Sequence, residues 1–230
     1  GVPSACVVIT GSLKFDIKIS AGQTALAQGW REQHALCNRP IWVAASTHPG
    51  EDEPMLAAHA QLLQRLPDAL LILVPRHPER FQSVAELIGA TGLSTVRRSE
   101  QTPVRAETAV WLGDSMGELM SWLALADAAF VGGSLVPRGG HNALEPLALG
   151  VPALTGPHDF NFASINAELR AAGALQTVQD AAELAQALHD LMTDPVLAQL
   201  RREAGLRVIA ANQGAVARQL ALLAPLLPSA

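Results

Sequence analysis

Cysteine is nearly absent. Cys6 and Cys37 are the only two, without CxxC spacing, which excludes a disulfide framework and a cysteine-based zinc site and fits a reducing compartment. Charge is scarce as well. Charged residues make up 16% of the 230, the net charge is −5 and there is no basic run, so a cationic nucleic-acid-binding surface is excluded. Long apolar stretches are missing; ALLILV (residues 69–74) is far too short to cross a bilayer. No signal-peptide pattern, internal repeat or low-complexity linker is read. His48, His77, His141 and His158 fall in loops, but none stands in HxH or HExxH spacing, so no metal site is expected.

What is there is apolar. Hydrophobic residues reach 49%, enough for a globular chain with a substantial core. Short β-branched and aliphatic runs alternate with helical patterns. Strands are read at residues 41–46, 69–75, 94–97, 110–113, 128–133, 152–156 and 174–178. Helices are read at about 53–66, 78–89, 116–125, 142–149, 163–171, 180–192, 195–210 and 215–223. The strand runs are continuously apolar rather than alternating, as expected when helices cover both faces of a sheet. The chain therefore reads as a doubly wound parallel α/β sheet. The opening stretch, GVPSACVVITGSLKFD, has no helix start and reads as a piece preceded by something longer.

In such sheets ligands sit beyond the carboxyl ends of the strands, so the loops that follow strands are the places to search. Four carry chemistry. STHPGEDE (46–53) offers the Ser46 and Thr47 hydroxyls and His48; helix capping alone accounts for its acids, and both readings stand. PRHPER (75–80) puts Arg76 and His77 at a strand end, where a guanidinium can grip a phosphate or carboxylate. Arg80, a turn further on, reads as structural. GDSMGE (113–118) presents Asp114, Ser115 and Met116, with Asp114 or Ser115 as a plausible helix cap.

The most loaded loop is GGSLVPRGGHNALE, residues 132–145. Gly132 and Gly133 permit close approach, and Ser134 follows them. His141 and Asn142 lead into a helix whose free amides would form an anion site. Asn142 and Glu145 are three apart and face the same way; a capping box is the plain alternative. A phosphate on the amides and a sugar diol on Glu145 would use every part of the motif.

The motifs GSLKFD, AASTHPGEDE, LVPRHPERF, LGDSMGEL, AFVGGSLVPRGGHNALEP and GPHDFNF occur in that order. Together they resemble the C-terminal half of bacterial Kdo transferases, which add 3-deoxy-D-manno-octulosonic acid (Kdo) to the lipid A precursor. The resemblance implies a GT-B fold, two Rossmann-like domains facing a cleft, with residues 1–16 as the interdomain connection or a remnant of it and residues 17–230 as the CMP-Kdo-binding domain. It implies no cofactor beyond that donor substrate. It also implies a general base, a lipid A precursor site and a membrane-associating surface in an N-terminal acceptor domain outside this chain, at the cytoplasmic face of the inner membrane. By the same resemblance the phosphate would lie against Gly132, Gly133, Ser134, His141 and Asn142, the ribose on Glu145, and the cytosine near Asp114, Ser115 and Met116. Ser46, Thr47, His48, Arg76 and His77 would face the phosphate and the Kdo carboxylate. The alternatives are a UDP-sugar transferase or epimerase of the same architecture, or a non-catalytic nucleotide-binding module.

Overall fold

The computed structural model describes residues 2–3 and 6–226; what the sequence suggests for Gly1, Ser4, Ala5 and residues 227–230 lies outside the described residues. Seven parallel strands form one sheet in the order β3-β4-β2-β1-β5-β6-β7. They are β1 (Ile41–Thr47), β2 (Leu70–Pro75), β3 (Thr95–Arg97), β4 (Val110–Leu112), β5 (Ala128–Val131), β6 (Ala153–Thr155) and β7 (Leu175–Thr177). The chain moves outward from β1 through β2, then returns to the other side of β1 with β5. The strand order reverses there, so the carboxyl ends of β1 and β5 flank the crevice where such sheets bind ligands.

Period-two alternation sorts each central strand between two cores. Trp42 and Ala44 of β1, with Leu71 and Leu73 of β2, face the core shared with α2 (Asp52–Leu63), α3 (Phe81–Thr91) and α7 (Ala181–Thr193). Ile41, Val43, Leu70, Ile72 and Val74 face the opposite core, with α1 (Ala21–Gln33) and α4 (Leu119–Leu125). A third cluster packs β6 and β7 against α5 (Leu144–Ala148), α6 (Ala163–Ala171) and α8 (Pro195–Asn212). Each large side chain buried this way contributes roughly 1.5–3 kcal/mol.

The strand and helix order matches the sequence reading, with instructive differences. Helix α1 was not expected, yet Ser20 and Gln23 close a reciprocal capping box at its start. The helix expected from residue 116 begins at Leu119, because Gly117 at φ +83° breaks the turn. The helix expected from Asn142 begins at Leu144, with the Asn142 Oδ1 accepting from the Leu144 amide at 3.2 Å. Pro78 opens a single 3-10 turn, and α3 starts only at Phe81.

Residues 13–16 pack against the body of the domain. Phe15 is buried in the third core, and the Asp16 carboxylate accepts from the Gly214 and Val216 amides at 2.5 and 2.6 Å. Those bonds hold the start of α9 (Ala215–Leu223) and keep the Asp16 carboxyl below the usual carboxylate range.

Candidate functional site

The site is assembled where β1 ends in a bulge. Register with β2 shifts between Ala45 and Thr47, and Ser46 between them sits at φ +58°, in the left-handed region. A bulge of this kind re-aims a side chain. Here Ser46 forms one wall of a cavity of about 320 Å³. Val74, Pro75 and Arg76 contribute a second wall from the end of β2. Ser115, Met116, Gly117, Leu119 and Met120 contribute a third from the β4–α4 connection, and Glu145 of α5 closes the fourth. Three of the loaded loops and α5 thus meet in one concavity at the carboxyl edge of the sheet.

The cavity has a charged axis. Burial raises the pKa of Glu145 above its usual value, while the Arg76 charge and a hydrogen bond with Asn142 oppose that rise. Beside Arg76 stands a histidine cluster. The His48 and His141 rings stack at 5.0 Å with an interplanar angle of 10°, and their Nε2 atoms lie 2.8 Å apart. One ring must donate and the other accept, so the pair holds a single proton on that axis. Burial, with the His48 and Arg76 charges, pushes His141 down to about 4. Burial also lowers His48, with the Glu51 charge opposing. The His77 ring meets His48 edge-on at 5.5 Å.

Several expected ligand groups are engaged elsewhere. The Thr47 hydroxyl donates to Asp52 Oδ1 at 2.7 Å and the side chain is buried, so it does not face the cleft. Arg80 pairs with Asp52 and donates to the Thr47 carbonyl at 2.5 Å, in keeping with a structural role. Asp114 neither caps α4 nor faces the cavity. It accepts from the Ser99 amide and hydroxyl and from Arg97 at 2.8, 2.6 and 2.8 Å; burial pushes its carboxyl up, but these donors outweigh burial and hold it low. Asp114 therefore ties the β4 loop to the segment after β3.

The glycine loop is corrected most. The Gly132 amide donates to the Ala45 carbonyl at 2.8 Å, and the His141 amide donates to the Gly132 carbonyl at 3.1 Å. The Gly133, Ser134 and Leu135 amides all donate to the buried Glu51 carboxylate, at 2.6, 2.9 and 2.9 Å. The Ser134 hydroxyl donates to the Val131 carbonyl and accepts from the Gly156 amide. The phosphate reading of Gly132, Gly133, Ser134 and the His141 amide therefore yields to an internal one. The loop uses its freedom to pack on itself and on the β1 loop. The Asn142 and Ala143 amides, just before α5, donate to no protein group among the described residues.

Sequence reasoning missed Glu51 because it read the residue as one of several acids opening a helix. The available signal was an acid directly after Gly50, in the loop at the switch point. Among the described residues no group of histidines, cysteines and carboxylates is arranged to hold a metal ion. Cys6 and Cys37 are free and exposed.

No protein-family model matches the chain. Over 232 residues it is 43% identical to the 3-deoxy-D-manno-octulosonic acid transferase of Haemophilus influenzae, covering 99% of this chain and 53% of the relative. It is 37% identical to the Bordetella pertussis transferase of the same name, covering 92% of this chain and 50% of that one. The chain thus spans about half the length of the curated relatives it matches. Among solved structures, the C-terminal CMP-Kdo binding domain of WaaA from Acinetobacter baumannii matches with a TM-score of 0.80 at 38% identity, covering 83% of this chain and 99% of that chain. The Anabaena Alr3699/HepE structure with UDP-glucose, at 17% identity and a TM-score of 0.62, shares the fold alone. With a seven-stranded parallel sheet, the fold of GT-B glycosyltransferases and a solved relative matched over nearly its whole length, the chain belongs to the 3-deoxy-D-manno-octulosonic acid transferase family.

Proposed function

We propose that this chain is the donor-binding half of a glycosyltransferase that moves Kdo from CMP-Kdo to a lipid A precursor in lipopolysaccharide biosynthesis. The observation that carries the reading is the convergence of Ser46, Arg76, Ser115, Met116 and Glu145, from separate segments, on one cavity beside the switch point. The exposed Met116, with Ser115, takes the cytosine, and Glu145 takes the ribose hydroxyls. Arg76, with His77, His48 and His141 behind it, faces the phosphate and the Kdo carboxylate. Asn142 serves the phosphate through its unengaged amide. When the acceptor hydroxyl attacks the anomeric carbon of Kdo, the bond to the phosphate oxygen breaks and CMP leaves with the electron pair. The Arg76 guanidinium neutralises that charge. The hydroxyl proton goes to a general base in the N-terminal half of the enzyme, which also supplies the lipid site and attaches the enzyme peripherally to the cytoplasmic face of the inner membrane. No resident cofactor takes part in this scheme.

Titration calorimetry of the chain with CMP and with UMP tests the reading. CMP is expected to bind, and UMP to bind more weakly; a folded chain that takes up no CMP at millimolar concentration overturns it. Glu145→Ala is expected to weaken CMP binding by about 1–3 kcal/mol through loss of charged hydrogen bonds to the ribose. Arg76→Ala is expected to cost about 1.5–3 kcal/mol for CMP but much less for cytidine, which lacks the phosphate. An equal loss for nucleotide and nucleoside would place Arg76 away from the phosphate. Circular dichroism of each variant separates lost contacts from lost fold.

A further inference from the structure

Glu51 is fully buried, yet it contacts no Lys or Arg side chain among the described residues. Its carboxylate is satisfied by main chain alone. One oxygen, Oε1, accepts from the Ser134 and Leu135 amides at 2.9 Å each. The other, Oε2, accepts from Gly133 at 2.6 Å and from its own loop, the His48 amide, at 2.9 Å. Three successive amides with a left-handed glycine among them (Gly133, φ +70°) form a backbone concavity of the kind that binds anions. Such a concavity at the switch point of a nucleotide-binding sheet has the chemistry of a phosphate cradle. Here it is filled from within.

We infer that Glu51 is a positioning residue, a built-in anion that occupies the glycine-loop cradle, excludes the donor phosphate from it and thereby fixes the His48–His141 pair beside Arg76. This rests on the donor-binding reading above. The linkage runs through bonded atoms. Glu51 grips the His48 amide on the β1 side and the amides of residues 133–135 on the β5 side. The His48 and His141 rings lie against Gly133, where an added methyl group would stand 3.2 Å from His141 and 3.4 Å from His48. If the two loops part, the Nε2-to-Nε2 hydrogen bond cannot survive. Glutamine cannot replace Glu51, because each carboxylate oxygen accepts two N–H groups and the amide NH2 would meet two donors. Alanine leaves an anion-shaped vacancy that a small carboxylate can fill.

The experiment compares the native chain, Glu51→Gln and Glu51→Ala by thermal unfolding and by CMP calorimetry, in sodium formate and in equal sodium chloride. Both variants are expected to bind CMP roughly tenfold or more weakly in chloride, about the worth of one charged hydrogen bond. Formate is expected to raise the Tm of Glu51→Ala and restore its CMP affinity, and to do neither for Glu51→Gln or the native chain. If Glu51→Ala folds only in formate, the cradle assignment holds on that result. If it folds in neither salt, the CMP affinity of Glu51→Gln decides. A purely structural Glu51 would lower Tm and leave the CMP affinity of folded variants within twofold of native, which overturns the proposal, as does formate acting equally on Glu51→Ala and the native chain. Were the native chain to bind no CMP, the donor reading would fail, while the formate-dependent Tm of Glu51→Ala would still test the cradle.

Discussion

Gly132→Ala is expected to destabilise the chain by roughly 3 kcal/mol or more, at the top of the range for overpacking, and to abolish CMP binding. Gly132 does not need a left-handed backbone. Its constraint is space: a Cβ there would stand 2.5 Å from the Ser46 carbonyl oxygen, 2.8 Å from the Ser46 carbonyl carbon and 2.9 Å from the Ala45 carbonyl oxygen. All three are backbone atoms of a central strand paired on both sides, so no rotamer change relieves the clash. The ends of β1 and β5 must separate. That breaks the bond from the Gly132 amide to Ala45 and pulls the three following amides off Glu51. The control is Gly29, mid-helix in α1 with nothing within 4 Å of an added methyl group, where alanine is expected to stabilise by roughly 0.5–1 kcal/mol. Urea unfolding of both variants checks the pair. A Gly132→Ala protein as stable as native would mean that the two loops are not in contact as described.

The same contact explains which parts of the site were legible in the sequence. Loops after strands could be found by pattern alone, because apolar runs such as WVAA and LLILV announce buried parallel strands and their ends locate the crevice. Ser46, Arg76, Ser115, Met116 and Glu145 were placed that way and do meet in space. What a single sequence could not show is which partner claims each donor. A glycine next to a strand end reads the same whether it makes room for a phosphate or for the carbonyl of a neighbouring loop. Glu51 and residues 133–135 are more than eighty positions apart, and their bond exists only once β5 lies beside β1. Asp114 shows the same limit, since Ser99 and Arg97 reach it across the β3–β4 pairing. Helix α1 is the opposite case. Its S-x-x-Q start stands in the sequence, but only Ala27 and Trp30 of its thirteen residues are buried, so its apolar period is weak.

Acidification from about pH 6.5 toward pH 4 is expected to cost the fold about 3 kcal/mol through His59 alone. His59 is fully buried in the core between the sheet and α2, and both ring nitrogens are committed. Nδ1 lies 3.1 Å from Trp42 Nε1, which can only donate, so Nδ1 is an unprotonated acceptor; Nε2 therefore carries the hydrogen and donates to the Ala109 carbonyl at 2.8 Å. A second proton would have to displace the Trp42 bond inside an apolar core. Burial accordingly pushes His59 down to about 4. Because the folded pKa lies below the unfolded one, the unfolded chain binds the proton first. The stabilisation is complete above about pH 6.5 and drains away as pH falls to the folded value. His141, also pushed down to about 4, acts in the same direction. Asp52, Asp127 and Glu145 act against it, because burial raises their folded pKa values and the native state gains those protons first. The His59 share is isolated by difference. His59→Leu is expected to be less stable at neutral pH, since Trp42 and Ala109 lose their partner, but to show a shallower decline in urea-unfolding free energy with acid. Parallel curves for the variant and the native chain would mean that His59 does not titrate on unfolding.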